Sequence, residues 1–408
     1  LLETTKIKLK KPELLAPAGN LEKLQFAIRY GADAVYIGGE SFGLRAKAGN
    51  FNFHDMEKGV DFAKQFGAKV YVVTNIIAHN ADLTGFKDYV RTLTRIGIDA
   101  LIIADPAFIT LTKQAVPEME IHLSTQASTT NWLATRYWQE EGVKRIVLAR
   151  EVSLKEIKEI KNHLDIELEA FIHGAMCVSY SGRCVLSNHM ALRDANRGGC
   201  AQSCRWHYDL YSAGDRLISP EDDPFTMGSK DLAMIQYLPE VIAAGVDSLK
   251  IEGRMKSIHY VATVINAYRQ AIDAYYNDTL NDKFRENWLS EIRKASHRPT
   301  TTAFYFHKPD KEAQIYKSAE NVREYDFVGM VLAYDPLKQE ATIQQRNHFA
   351  VNDEVEFFGP TTNFKQIIRS IIDGETGENI LAAPHPLQIV KIPLEYEVKP
   401  FDMMRKEN

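Results

Sequence analysis

The sequence predicts an α/β fold: a (β/α)8 TIM-like barrel over residues 1–280, carrying a cysteine-bearing insertion after its seventh strand, and a small C-terminal antiparallel β-barrel domain over 325–408. Three observations predict it. One short phrase recurs, in which a helical stretch ends at glycine and an apolar run follows two residues later. All four cysteines fall inside one 28-residue window. Beyond residue 324 the apolar residues change from helical spacing to alternation.

The first strand is ELLAP at 13–17, and Asn20 is placed to cap a helix whose Leu21, Leu24, Ala27 and Ile28 share one face. The recurring phrase begins at Gly31 (GADAVYIGG), Gly67 (GAKVYVVTN), Gly97 (GIDALIIAD), Gly142 (GVKRIVLAR) and Gly245 (GVDSLKIEG). Glycine past a helix end takes the left-handed conformation that closes helices. The short β-branched runs that follow suit strands buried on both faces. EIHLS at 120–124 and ELEAF at 167–171 complete eight strands. Helices read near 54–66, 83–96, 106–116, 129–141 and 153–162. A last one at 257–276 keeps Ile258, Val261, Val264, Ile265, Tyr268 and Ile272 in register. Each crossover is long enough for a parallel connection, with a doubly wound open sheet as the alternative.

About 75 residues separate strand seven from strand eight, far more than a crossover needs, so 173–246 reads as an insertion. It follows the C-terminal end of a strand, which in a barrel is the catalytic mouth. Within it RWHYDLYS, a turn at Ala213-Gly214-Asp215 and RLIS read as a hairpin, whose Trp206, His207, Tyr208 and Tyr211 read as its packed face rather than as base-stacking groups. Residues 281–324 read as a helical linker region. FVGMVLAY, EATIQQ, DEVEFFG, KQIIRSII and IVKIPL then alternate apolar and polar residues as antiparallel strands.

Composition narrows the function. Of 408 residues 45% are hydrophobic and 25% charged, as in ordinary globular proteins. A net charge of −5 confines nucleic-acid binding to a local patch. No apolar run reaches the ~18 residues of a membrane span. The N-terminal stretch has no apolar signal-peptide core, so a cytoplasmic location is expected. The first residue is not Met, so a few residues are expected to be missing. Cysteine used as a small core residue would scatter, whereas Cys177, Cys184, Cys200 and Cys204 cluster with the spacing C-x6-C-x15-C-x3-C. In a reducing compartment such a group more often holds a metal. Structural zinc prefers paired tight knuckles, and only the second pair is tight. Iron–sulfur clusters accept wider spacings. On the residues alone an iron–sulfur cluster, a zinc ion and structural or redox thiols all stay open.

The segment EAFIHGAMCVSYSGRCVLS resembles the signature of the peptidase U32 family, with Glu169, Phe171, Gly174, Cys177, Gly182, Cys184 and Ser187 in register. The resemblance continues through RGGCAQSCRW, ELLAPAGN and GADAVYIGG and covers essentially the whole chain. Within the family it is nearest the branch that hydroxylates tRNA. It implies formation of 5-hydroxyuridine at the wobble position, a 4Fe–4S cluster held by the four cysteines, prephenate as co-substrate and no use of molecular oxygen. Some relatives draw their fourth ligand from farther along the chain. With no cysteine after Cys204, this chain would use the tight pair or leave one iron open to another ligand.

Arg183, Arg193, Arg197 and Arg205 make the cysteine segment locally basic. Their forked side chains suit a dicarboxylate such as prephenate or an RNA backbone, unless they form a solvated loop offsetting a thiolate-bound cluster. His173, Lys250, Glu252 and Arg254 lie just beyond strands seven and eight, where general acid, base or substrate clamp would sit. A rim salt bridge for Glu252 and Arg254, and a supporting hydrogen bond for His173, are the alternatives. Glu40, Arg45 and Gln126 hold weaker versions of the same position. The expected partners are tRNA and a small dicarboxylate, with room for a partner subunit or a homo-oligomer and no membrane. The rival functions are a peptidase and an RNA-binding protein with structural zinc. No H-E-x-x-H occurs. Gly39-Glu40-Ser41-Phe42-Gly43 spells G-x-S-x-G, but no apolar helix follows at once as a nucleophile elbow requires.

Overall fold

The computed structural model describes residues 10–44, 49–219, 225–295, 298–315 and 324–408. Eight parallel strands run in chain order: β1 (Glu13–Pro17), β2 (Ala34–Gly38), β3 (Lys69–Thr74), β4 (Ala100–Ile103), β5 (Glu120–Leu123), β6 (Arg145–Val147), β7 (Glu167–Gly174) and β8 (Ser248–Ile251). Strand β8 pairs with both β7 and β1, so the sheet closes into a barrel and the open doubly wound alternative is excluded.

Helices α1 (Leu21–Arg29), α2 (Phe53–Gln65), α3 (Phe86–Ile96), α4 (Pro106–Ala115), α5 (Trp132–Glu140) and α6 (Leu154–His163) alternate with the strands. Their starts follow local chemistry. Asn20 accepts the Lys23 N–H, Asn52 that of Asp55, and Ser153 forms a reciprocal capping box with Glu156. The expected start of α3 at 83 moves to Phe86, because Asn80–Leu83 forms a separate 3-10 turn.

Strand β7 runs three residues past its expected end. Residues Asp231–Ala233 of the insertion pair antiparallel with its tip, and β8 pairs along it, so the extra residues find ladder partners only in the folded chain. The insertion also carries α7 (Leu186–Ala191) and returns to β8 through α8 (Leu238–Ala243). The expected hairpin is reduced to isolated bridges between Tyr208 and Phe225 and between Tyr211 and Leu217. Its aromatics are not a packed face: Trp206 is 41% and Tyr211 59% exposed.

After the buried helix α9 (Ile258–Tyr276) and α10 (Asp282–Arg293), the stretch read as a linker goes back to the insertion. Thr300–Thr301 pairs with Asp231–Leu232, and Gln314–Ile315 with Gly228–Ser229. The C-terminal domain is antiparallel, with β9 (Tyr325–Asp335) between β10 (Glu340–Gln345) and a strand at Met403–Glu407. The expected strand KQIIRSII is two, Asn363–Ile367 and Ile371–Asp373. The domain has its own apolar core and docks on the barrel helices. Tyr30 donates to the Phe401 carbonyl at 2.9 Å, and buried Arg405 pairs with Glu356 and Glu291. Among the described residues, no helix is long and apolar enough to cross a membrane.

Candidate active site

The C-terminal ends of the barrel strands converge on a cavity of about 160 Å3. Tyr36, Val73, Ile102, Val147, Phe171 and Lys250 supply its walls, and the insertion closes over it with Met176–Gly182, Cys184, Asn196, Cys200 and Cys204. All four cysteines line this one cavity as free thiols, Cys177 exposed and the other three half-buried. Local contacts hold the insertion there. Gln126 passes so close to Gly182 (φ 70°) that a Cβ would lie 2.1 Å from its carbonyl oxygen, which only glycine permits. Asn196 donates to the Cys184 carbonyl at 3.1 Å, and Ser181 donates to Glu151 through its N–H and its hydroxyl, each at 3.0 Å.

Burial pushes the Cys204 thiol up, Arg205 opposes this, and charge on Cys177, Cys200 or Cys184 would raise it further. Four sulfur donors gathered on one small cavity suit a cationic occupant. Among the described residues no three His, Cys, Asp or Glu groups stand close enough to share a single metal ion. Zinc, with Zn–S bonds of about 2.3 Å, would draw its sulfurs within roughly 4 Å of one another. In a polynuclear cluster each thiolate binds a different iron, and the sulfurs stand farther apart. Four thiols lining one cavity are the donor type that an iron–sulfur cluster takes.

The insertion arginines do not line this cavity. Arg183 is exposed on the surface. Arg193 also lies outside the lining, and Arg205 turns back to the Met176 carbonyl. Arg197 is held by both carboxylate oxygens of Asp82 and by the Ile77 carbonyl, which ties the insertion to the loop after β3. A basic composition recorded the charge but not its direction. The cations that do face the cavity are Lys250, Arg254 and Arg150. Arg150, not anticipated from sequence, lies over the Phe171 ring at 3.9 Å. Its only sequence signal is its position just past the β6 run. Glu252 and Gln126 also line the cavity, Glu40 is exposed outside it, and Arg45 lies outside the described residues. Arg254 donates to the Leu44 carbonyl at 3.1 Å and to Asn50 at 2.7 Å, bracing the loop after β2 over Gly38.

Beneath the cavity a chain of buried charge threads the barrel. Lys250 Nζ meets Glu169 at 2.6 Å, Glu169 meets Arg145 at 3.3 Å, and Arg145 meets Glu13 at 2.6 Å. Burial alone would raise the Glu169 carboxyl, but Lys250 and Arg145 hold it below the usual carboxylate range. Burial pulls Lys250 below the ordinary lysine range, with Glu169 opposing. Lys250 lines the cavity while its Nζ is held by Glu169 and lies 4.5 Å from the Tyr36 ring centroid.

His173 lies within β7, not beyond it, and is buried against Tyr260 and Tyr268. Burial, helped by Lys256, lowers its pKa to about 3, so the ring is neutral near pH 7. In an unfolded chain it would titrate near 6.5, so between those values the unfolded state binds more protons and stability falls as the pH drops. Acidification from about pH 6 to pH 5 should cost roughly 1 kcal/mol through this group, and His173→Gln should flatten that slope in urea denaturation. An unchanged slope would contradict the assignment.

Ser41 is exposed and α2 begins only at Phe53, so no nucleophile elbow forms there. Phe42 instead packs its ring on Phe86, Tyr89 and Phe108.

Residues 19–315 match the peptidase family U32, and residues 323–405 match the peptidase family U32 C-terminal domain. A protein of Bacillus subtilis named as a tRNA hydroxylation protein is 54% identical over 97% of this chain and 95% of its own length. An Escherichia coli protein with the same kind of name is 34% identical, over 95% of each chain. A Porphyromonas gingivalis protein named collagenase is 29% identical over 96% of this chain and 97% of its own.

Proposed function

The chain belongs to the peptidase U32 family, and from that premise we propose that it is a tRNA hydroxylase forming 5-hydroxyuridine at the wobble position. The observation that carries this reading is the set of four free thiols lining one cavity at the barrel mouth. The names of the Bacillus subtilis and Escherichia coli relatives support the RNA substrate. Cys177, Cys184, Cys200 and Cys204 would hold a 4Fe–4S cluster, which when bound supplies one-electron chemistry.

The chain's own residues supply position and charge. Arg150, Lys250 and Arg254 make the cavity wall cationic, which suits the carboxylates of a co-substrate such as prephenate. This moves the clamp from the insertion arginines to the strand ends. Glu252 also lines the cavity, where its carboxylate is placed to hold or take a proton from a bound substrate. His173, neutral and buried, orients the end of β7 and does not exchange protons. In this scheme molecular oxygen is not a reactant.

The test is nucleoside analysis of tRNA incubated anaerobically with iron-loaded protein, with and without prephenate. Prephenate-dependent 5-hydroxyuridine is expected. An iron-free, zinc-loaded protein that leaves the nucleosides unchanged would overturn the proposal. The name of the Porphyromonas gingivalis relative favours a peptidase as second reading, and gelatin cleavage that survives iron removal would support that instead.

A further inference from the structure

A second, larger cleft of about 890 Å3 opens beside the cysteine cavity. The two share the Cys177 loop, so Cys177, the exposed cysteine of the four, stands on the divide between them. The outer cleft is bounded by the start of α6 and by the returning stretch 301–314, and at several times the volume of the inner cavity its size suits several nucleotides.

Its chemistry is mixed in a particular way. Tyr180 (63% exposed) and Phe306 (47%) offer ring faces, and Phe306 is braced edge-on by Tyr237 at 5.0 Å. Lys155, Lys230 and Lys308 also line it, and among the described residues none of their side chains has an ion-pair or hydrogen-bond partner. Three carboxylates share the lining: Glu151 accepts from Ser181 and Glu156 from Ser153, which turns them toward their own loops, while the three lysines stay unpaired. Exposed rings between uncommitted cations are what a single-stranded nucleic acid needs: stacking surfaces for bases and point charges for phosphates.

We infer that this cleft binds the single-stranded RNA loop that carries the target base, stacking bases on Tyr180 and Phe306 and holding phosphates with Lys155, Lys230 and Lys308, so that the target base turns inward past Cys177. The inference rests on the tRNA reading above and adds the surface that receives the RNA. Continuity with the thiol-lined cavity and the pairing of exposed rings with unpaired lysines favour RNA over a peptide.

The experiment measures binding of unmodified tRNA to the iron-loaded full chain by fluorescence anisotropy over a salt series. The variant Lys155→Ala/Lys230→Ala/Lys308→Ala should weaken binding on the order of tenfold or more and lower the salt slope by about 2. Tyr180→Ala and Phe306→Ala should each weaken binding roughly tenfold with the slope unchanged. A charge-matched control, Lys58→Ala/Lys283→Ala/Lys338→Ala, should bind as the parent does. Parent protein that binds tRNA while the cleft variants match it overturns the cleft but not the hydroxylase reading. Parent protein that neither binds nor modifies tRNA overturns the reading itself. Loss of gelatin binding in the cleft variants, with tRNA binding unmoved, overturns the inference in favour of a peptide groove.

Discussion

Anaerobically purified Cys184→Ala protein is expected to carry little or no iron and sulfide, and to lose its tRNA-modifying activity by more than about 100-fold. Changes in groups that merely support a metal ligand cost about 10–100-fold, so removing a ligand should exceed that range. The same outcome is expected for Cys177→Ala and Cys200→Ala, because all of these thiols line the same cavity. Cys204 tests the count of ligands. Burial favours the protonated form of its thiol, so its ionisation calls for a cationic occupant. If Cys204→Ala keeps its iron, the cluster has three cysteine ligands and an open iron. If all four variants keep full iron and activity, the cysteines are not the ligands and the proposed chemistry fails. None of the four forms a disulfide, so folding should survive each substitution, and unchanged circular dichroism would show it.

The second large effect is structural. Lys250→Met should destabilise the protein by about 3–5 kcal/mol, because it leaves Glu169, wholly buried, with only the more distant of its two cations. Urea denaturation measures this directly. The double variant Lys250→Met/Glu169→Gln should regain part of the loss, since no unpaired buried charge remains. A loss below about 1 kcal/mol in the single variant would mean that water or a rearranged Arg145 satisfies the carboxylate. Activity should fall in both variants, because Lys250 also lines the cavity.

The barrel was legible because its signals are local. Glycine after five of the helices, capping residues such as Asn20 and Ser153, and β-branched runs act within a few residues of chain, and the strands formed where they pointed. What the sequence hid depends on partners far along the chain. The strand Met403–Glu407, which the sequence reading does not single out, runs between two other strands with Arg405 fully buried. Its charge is tolerated only because Glu356 and Glu291 arrive from other elements. The stretch 300–315 reads as a linker because its strand partners lie in the insertion some 70 residues or more upstream.

The candidate site divides in the same way. Clustering in sequence was enough to bring the four cysteines to notice, and a long connection after a strand end was enough to place them at the mouth. It could not orient the arginines around them. Arg197 faces Asp82 and Arg150 faces the cavity, although only the former sits among the cysteines in sequence. By itself the sequence determined the order of strands and helices and which residues carry sulfur and charge, because these follow from composition and short-range spacing. The tertiary structure alone decided which charges are spent on each other and which remain to meet a ligand. Pairing energies fall off within a few ångströms, and only closure of the barrel brings residues such as Glu13, Arg145, Glu169 and Lys250 within that reach.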